Sequence, residues 1–258
     1  MIKLYDPDIK NSDIESVIKS LKRKDFSGNT KTVKTFEKEL SKFLGIKYVS
    51  SCSSGTAALH LALLSTGIKR NDEVIMPNLS YIATANAVTY VGGIPVFIDV
   101  DIKTWQIDVD KIEMNITKNT KAIMPVHLYG MVPELDKINL LAKKYNLKVI
   151  HDSAEALGSK FNNRYSTNFR NVSILSFFPN KIITTGEGGA LCTNDKSIYE
   201  MSEKLKSQGL QGKKEYFHSD IGYNYRMSAM SAALGTPQID RIERNIEKKK
   251  KLFDKYKL

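Results

Sequence analysis

Val172-Ser173-Ile174-Leu175-Ser176-Phe177-Phe178-Pro179-Asn180-Lys181-Ile182-Ile183-Thr184-Thr185-Gly186-Glu187-Gly188-Gly189-Ala190-Leu191-Cys192-Thr193 is the stretch on which the fold turns. The apolar run Val172 to Phe178 predicts a strand, Pro179-Asn180 a turn, and Gly189 to Thr193 a second strand after a glycine-rich connection. Between them the turn presents one lysine, Lys181. A lysine at a strand end, among apolar and hydroxyl neighbours, suits amine chemistry better than solubility. Partial desolvation lowers an ammonium pKa and frees the neutral amine that carbonyl-binding lysines require. The alternative is a solvated surface lysine, the expected state of most lysines in this chain.

Outward from this stretch, helical and strand patterns alternate. Ser12–Lys22 and Thr32–Leu44 have helical apolar spacing, the second ended by Gly45. Tyr48–Ser50 reads as a short strand and Thr56–Ser65 as a helix. Further strands are expected at Glu73–Met76, Pro95–Ile98, Ala122–Val126 and Lys148–Ile150, with helices at Ala83–Val91 and Glu134–Tyr145. Apolar strands separated by helix-length segments imply a mostly parallel sheet covered on both faces, a three-layer α/β sandwich. Gly235-Thr236-Pro237 interrupts a C-terminal helical pattern, where an interior proline is expected to kink the helix.

The bulk composition narrows the class. The 258 residues can bury one large core, and 41% hydrophobic with 26% charged residues is ordinary for a soluble globular protein. Cys52 and Cys192 supply neither a disulfide framework nor a metal-ligand spacing, which fits a cytoplasmic protein and no metal. The first seven residues lack a signal-peptide core, and no apolar run is long enough to span a membrane. The net charge of +11 admits a nucleic-acid partner, but no zinc-finger or aromatic-and-basic motif accompanies it. Lysines spread over solvated faces, as in Lys19-Lys22-Arg23-Lys24 and Lys248 to Lys251, explain the charge without nucleic acid or membrane. A positive field also favours an anionic small substrate.

Ligands of such sheets bind beyond the carboxyl ends of the strands. After the first strand, Ser54-Gly55-Thr56 opens a helix and is either an anion cradle or only a cap. Tyr81 follows the next strand and could stack on a flat ring or sit in the core. Asp152 ends another apolar strand. A carboxylate there needs a cationic partner, such as a protonated pyridine nitrogen, unless it caps a short helix. Anion cradle, carboxylate and lysine together are what pyridoxal 5'-phosphate needs for its phosphate, ring nitrogen and aldehyde.

These residues lie in motifs that resemble, in order and essentially from end to end, the DegT/DnrJ/EryC1/StrS sugar aminotransferases. The motifs are Ser54-Gly55-Thr56-Ala57-Ala58-Leu59, Ala83-Thr84-Ala85-Asn86-Ala87-Val88, Pro95-Val96-Phe97-Ile98-Asp99-Val100-Asp101, Asp152-Ser153-Ala154-Glu155-Ala156, the Lys181 segment, and Gly222-Tyr223-Asn224-Tyr225-Arg226-Met227. The resemblance implies the large domain of a fold-type I pyridoxal-phosphate enzyme over residues 1–235. Residues 236–258 are then a connecting helix and the start of a truncated C-terminal domain. It implies that Lys181 is catalytic and that Ser54, Gly55, Thr56, Tyr81, Asp152, Glu155, Ser176, Lys181 and Asn224 bind the cofactor, with Asn224 donated across a homodimer interface. It implies amino transfer from L-glutamate to a keto group of a nucleotide-linked sugar, in polysaccharide biosynthesis. The segments around Asp152 and Lys181 look most like perosamine-forming members, whose acceptor is GDP-4-keto-6-deoxymannose. Arg170-Asn171 stands where a Gly-Asp pair is usual, and relatives continue past Leu258. The resemblance therefore also admits a cofactor-binding but inactive chain, or half of a split enzyme.

Overall fold

The computed structural model describes residues 5–169, 172–210 and 216–256; Arg170-Asn171 and Lys257-Leu258 lie outside them. Strands β1 (Tyr48–Cys52), β2 (Glu73–Pro77), β3 (Ile94–Ile98), β4 (Thr120–Ile123), β5 (Lys148–Asp152), β8 (Val172–Ser176) and β9 (Gly189–Thr193) form one sheet in the order β1-β9-β8-β5-β4-β2-β3. A two-stranded hairpin, β6 (Lys160–Phe161) with β7 (Arg164–Tyr165), stands apart. The sheet is mostly parallel, as the sequence pattern implies. The exception is β9, which runs antiparallel to both β8 and β1. Its register sets Gly189 opposite Cys52 on one side and Ser176 on the other. The ends of β1 and β8 and the start of β9 therefore share one edge, at which β5 ends in Asp152.

Helices cover both faces. On one, α3 (Gly55–Ser65) is apolar all round and buried from Ala57 to Leu63, as expected for a helix with no water-facing side. It packs with α4 (Ala83–Tyr90) and α6 (Lys196–Lys206) over Met76, Ile150, Ile174 and Leu191. On the other face, α2 (Lys31–Leu44) buries Val33, Phe36, Leu40 and Leu44 against Val49, Leu175 and Ala190. Each such side chain contributes about 1.5–3 kcal/mol by leaving water. Gly45 ends α2 in the left-handed conformation (φ 63°), the role its position predicts. The remaining helices are α1 (Asn11–Lys22), α5 (Leu135–Lys144), α7 (Ala229–Gly235) and α8 (Ile242–Tyr256).

Two expectations need correcting. The strand leading to Lys181 ends at Ser176; beyond it the Phe177 amide donates to the Gly188 carbonyl at 2.9 Å and its carbonyl accepts from the Thr185 amide at 3.0 Å, which closes the lysine loop. The break at Gly235-Thr236-Pro237 is a tightening rather than a simple kink: Thr236–Arg241 forms a 3-10 helix between α7 and α8. It keeps Gly235 where a Cβ would meet Thr185 and Phe36 at 2.6 and 2.8 Å. Lysine is also not uniformly surface. Lys206 is 3% exposed, with Nζ donating to Glu37 Oε1 at 3.2 Å and to the Ser51 carbonyl at 3.0 Å. This pair braces the end of β1 from behind, since Glu37 Oε1 also accepts from the Ser51 amide and hydroxyl.

Candidate active site at the carboxyl edge of the sheet

The residues singled out from the sequence converge on this edge. Lys181 lies in the β8–β9 connection. Its Nζ is 3.1 Å from Glu155 Oε1, and the side chain is 17% exposed. The lysine is thus partly desolvated, but it is ion-paired rather than set in an apolar surround. Glu155 also accepts from the Tyr129 amide at 2.8 Å through Oε2, so one carboxylate spans the lysine and the turn after β4. The lysine turn itself is pinned downstream. The buried Gln238 amide accepts from the Thr184 N–H at 3.0 Å and donates to the Thr184 carbonyl at 2.8 Å.

Asp152 is 5% exposed. Oδ2 accepts from Thr84 Oγ1 at 2.7 Å and Oδ1 from the Ala154 amide at 3.1 Å. No helix follows it, which removes the helix-cap reading. Burial pushes its carboxyl above the usual range, opposed by the two hydrogen bonds and by the more distant charge of Lys181. Among the described residues it has no ion-pair partner. A buried carboxylate so placed is stabilised by a cation arriving opposite it, as a protonated ring nitrogen would.

At the head of α3, the Ser54 hydroxyl accepts from the Ala57 amide at 3.0 Å, so this serine is spent as the cap. The amides of Gly55 and Thr56 have no acceptor among the described residues and remain available to an anion, with the positive end of the helix dipole behind them. Cap and cradle are therefore both present, on different groups. A Cβ on Gly55 would meet the Ser176 Cβ at 2.9 Å, and one on Gly189 would meet the Gly55 nitrogen at 2.7 Å. Glycine is required at both positions for the three strand ends to close around this cradle.

Tyr81 is 77% exposed, which excludes the core reading and leaves its ring free beside Thr84. Asn224 is exposed, in a segment held along the end of β1 by the Ser53 amide donating to the Tyr225 carbonyl at 2.8 Å. Its side chain has no partner among the described residues. The donor set therefore fits pyridoxal phosphate: a bare helix N-terminus, a buried carboxylate lacking a cation, and one lysine. Sequence reasoning missed Thr84, Tyr129 and Gln238. Tyr129 did carry a signal: it follows the apolar run Ala122–Val126 as Tyr81 follows β2, and the strand observed there is β4 (Thr120–Ile123).

The family model for DegT/DnrJ/EryC1/StrS aminotransferases matches residues 7–258. The chain belongs to this family. Its members are aminotransferases that use pyridoxal phosphate, and the sheet described above is the fold-type I architecture. The chain is 44% identical over 256 residues to a GDP-perosamine synthase of Escherichia coli O157:H7, covering 99% of this chain and 70% of that protein. It is 43% identical to a GDP-perosamine synthase of Caulobacter vibrioides, covering 86% of this chain and 60% of that one. Among solved structures, NtdA of Bacillus subtilis with bound cofactor PMP superposes with a TM-score of 0.83 at 34% identity, over 91% of this chain and 54% of that one. No described helix is long and apolar enough to cross a membrane.

Proposed function

We propose that this chain, with pyridoxal phosphate as cofactor, transfers the amino group of L-glutamate to a keto group on a nucleotide-linked sugar. The observation that carries the reading is the meeting, at one sheet edge, of Lys181, an Asp152 carboxylate without a cation, and the bare amides of Gly55 and Thr56. When bound, the cofactor supplies a carbonyl carbon for amines and a ring that withdraws electrons. The protein's part follows from its own geometry. Gly55, Thr56 and Ser176 hold the phosphate, Asp152 keeps a proton on the ring nitrogen, and Tyr81 covers a ring face. To act as an amine, Lys181 Nζ must lose a proton, and Glu155 Oε1 at 3.1 Å is the acceptor within reach. Freed of that pairing, the same Nζ can take the proton from the donor's amine-bearing carbon in one half-reaction and, in the other, deliver a proton to the acceptor carbon that receives the amine.

The two GDP-perosamine synthases named above favour perosamine as the product sugar, and the sequence resemblance adds GDP-4-keto-6-deoxymannose as its acceptor and a place in polysaccharide biosynthesis. We further propose a cytoplasmic homodimer. The unpartnered Asn224 side chain supports it, as does the exposed stripe of Ile14, Ile18 and Leu21 on α1, spaced to cover a partner's apolar surface. Residues 1–235 would then be the cofactor-binding domain, and 236–258 the beginning of a connection beyond it. The test is nitrogen transfer. With 15N-glutamate, pyridoxal phosphate and the keto-sugar nucleotide, 15N is expected in the sugar product. Cofactor binding without labelled sugar would instead indicate a chain that binds the cofactor but does not turn over.

A further inference from the structure

Three described aromatic residues, Trp105, Tyr129 and Tyr216, combine high exposure with a left-handed backbone, and two of them, Trp105 and Tyr129, lie against each other. Both have left-handed backbones, φ 57° and 53°, a conformation bulky side chains rarely hold and one that clusters at functional sites. Both conformations are enforced locally. The Trp105 amide donates to the Asp101 carbonyl at 2.7 Å, while Asp101 Oδ1 accepts from the amides of Lys103 and Thr104. The Tyr129 amide donates to Glu155. Buried Gln106 ties the two turns together: with its nitrogen facing the carbonyls, it donates to Val126 at 2.8 Å and Met131 at 3.2 Å. So much fixing yields two rings left in water, 52% and 76% exposed, 6.2 Å apart and tilted by 58°.

Tyr129 also lines a cavity of about 960 Å³ shared with Glu155, Lys181, Lys160 and Lys249. The aromatic pair is thus joined to Lys181 through a single carboxylate, in the same space as the three ammonium groups of Lys160, Lys249 and Lys250. Resting on the nucleotide-sugar reading above, we propose that Trp105 and Tyr129 form a stacking platform for the nucleobase of the activated-sugar substrate. A base lying on one ring meets the edge of the other, an arrangement aromatic groups favour. Stacking uses the π-face that every base has, and the cavity's lysines suit the diphosphate that follows.

Trp105 is the chain's single tryptophan, so its fluorescence reports this site alone. The cofactor-loaded protein is titrated with GDP, UDP and inorganic pyrophosphate. Quenching by the nucleotides and not by pyrophosphate is expected. Tyr129→Asn, which tolerates the left-handed backbone and retains the amide used by Glu155, should weaken nucleotide binding about tenfold. Tyr129→Phe should bind like the parent. Unchanged fluorescence with both nucleotides, equal quenching by pyrophosphate, or full affinity in Tyr129→Asn would each overturn the platform. So would a Tyr129→Asn chain that changes oligomeric state while binding nucleotide normally, since a second copy would then cover this face. Borohydride labelling of Lys181 with the cofactor, measured on the same samples, separates the two readings. Its absence beside intact nucleotide quenching would overturn the aminotransferase reading and leave the platform standing.

Discussion

Replacing Gly189 with alanine tests the link between sheet register and cofactor cradle. Gly189 pairs with Cys52 and Ser176 on its two sides. A Cβ there would collide with the Ser54 carbonyl oxygen, and would lie 2.5 Å from its carbon and 2.7 Å from the Gly55 nitrogen. Ordinary carbon contacts need about 3.5 Å, so roughly 1 Å of movement is required. β9 cannot retreat, being hydrogen-bonded on both edges, and the Ser54 carbonyl is held by the Ala58 amide at 3.0 Å. The head of α3 must therefore give way. Overpacking of this kind costs about 1–3 kcal/mol, and with so little freedom the upper half applies. At about 2–4 °C per kcal/mol, Tm should fall by about 4–12 °C. Because the displaced amide is part of the cradle, affinity for pyridoxal phosphate should fall at least about tenfold, as displaced donors lose hydrogen-bond geometry. The control is Gly186→Ala, where φ is 78° but no atom lies within 4 Å. It should cost ~1 kcal/mol of backbone strain and leave affinity intact. Thermal unfolding and cofactor titration on both variants decide the matter. Equal affinity loss in the two, or none in Gly189→Ala, would refute the reasoning.

Other consequences are equally open to measurement. Asp152→Asn removes the charge opposite the ring nitrogen and should slow the glutamate half-reaction at least about a hundredfold in stopped-flow absorbance, given typical acid–base contributions. Gln238→Leu leaves the Thr184 N–H and carbonyl unpaired and should cost about 2–3 kcal/mol in denaturant unfolding, with weaker cofactor labelling of Lys181. His127 and His151 are buried, 3.1 Å apart, and burial holds both low, His151 at about 4. Their folded pKa values lie below the unfolded value near 6.5, so their contribution to stability is present above pH 6.5 and lost on acidification toward 4. About 2 kcal/mol for each histidine, about 4 kcal/mol together, should disappear between pH 7 and 5, and a His127→Phe/His151→Phe variant should lose that dependence in Tm-versus-pH scans.

The layer order and most elements were legible because apolar periodicity is local information. Val33, Phe36 and Leu40 announce the buried face of α2, and Gly45 its end. The direction of β9 was not legible, since Gly189 to Thr193 reads as an apolar strand whichever way it pairs. Asp152 and Lys181 were identifiable as strand-end groups of a kind costly to place without purpose. Their ion-pair and hydrogen-bond partners were not: Thr84 and Glu155 reach them through folding of distant segments. Gln238 carries no sequence signal beyond its place after Pro237, and its role exists only because the 3-10 turn aims it at Thr184. The burial of Lys206 carries no sequence signal either, because Glu37, its partner, lies far away in sequence.

The central claim is that Lys181 is the residue that takes the cofactor. Incubation with pyridoxal phosphate, reduction with borohydride, proteolysis and mass spectrometry give a direct answer. The pyridoxyl mass is expected on the peptide carrying Lys181, to be diminished when glutamate is added before reduction, and to be absent from Lys181→Ala. Stable labelling of a different lysine, or undiminished labelling in Lys181→Ala, would contradict it.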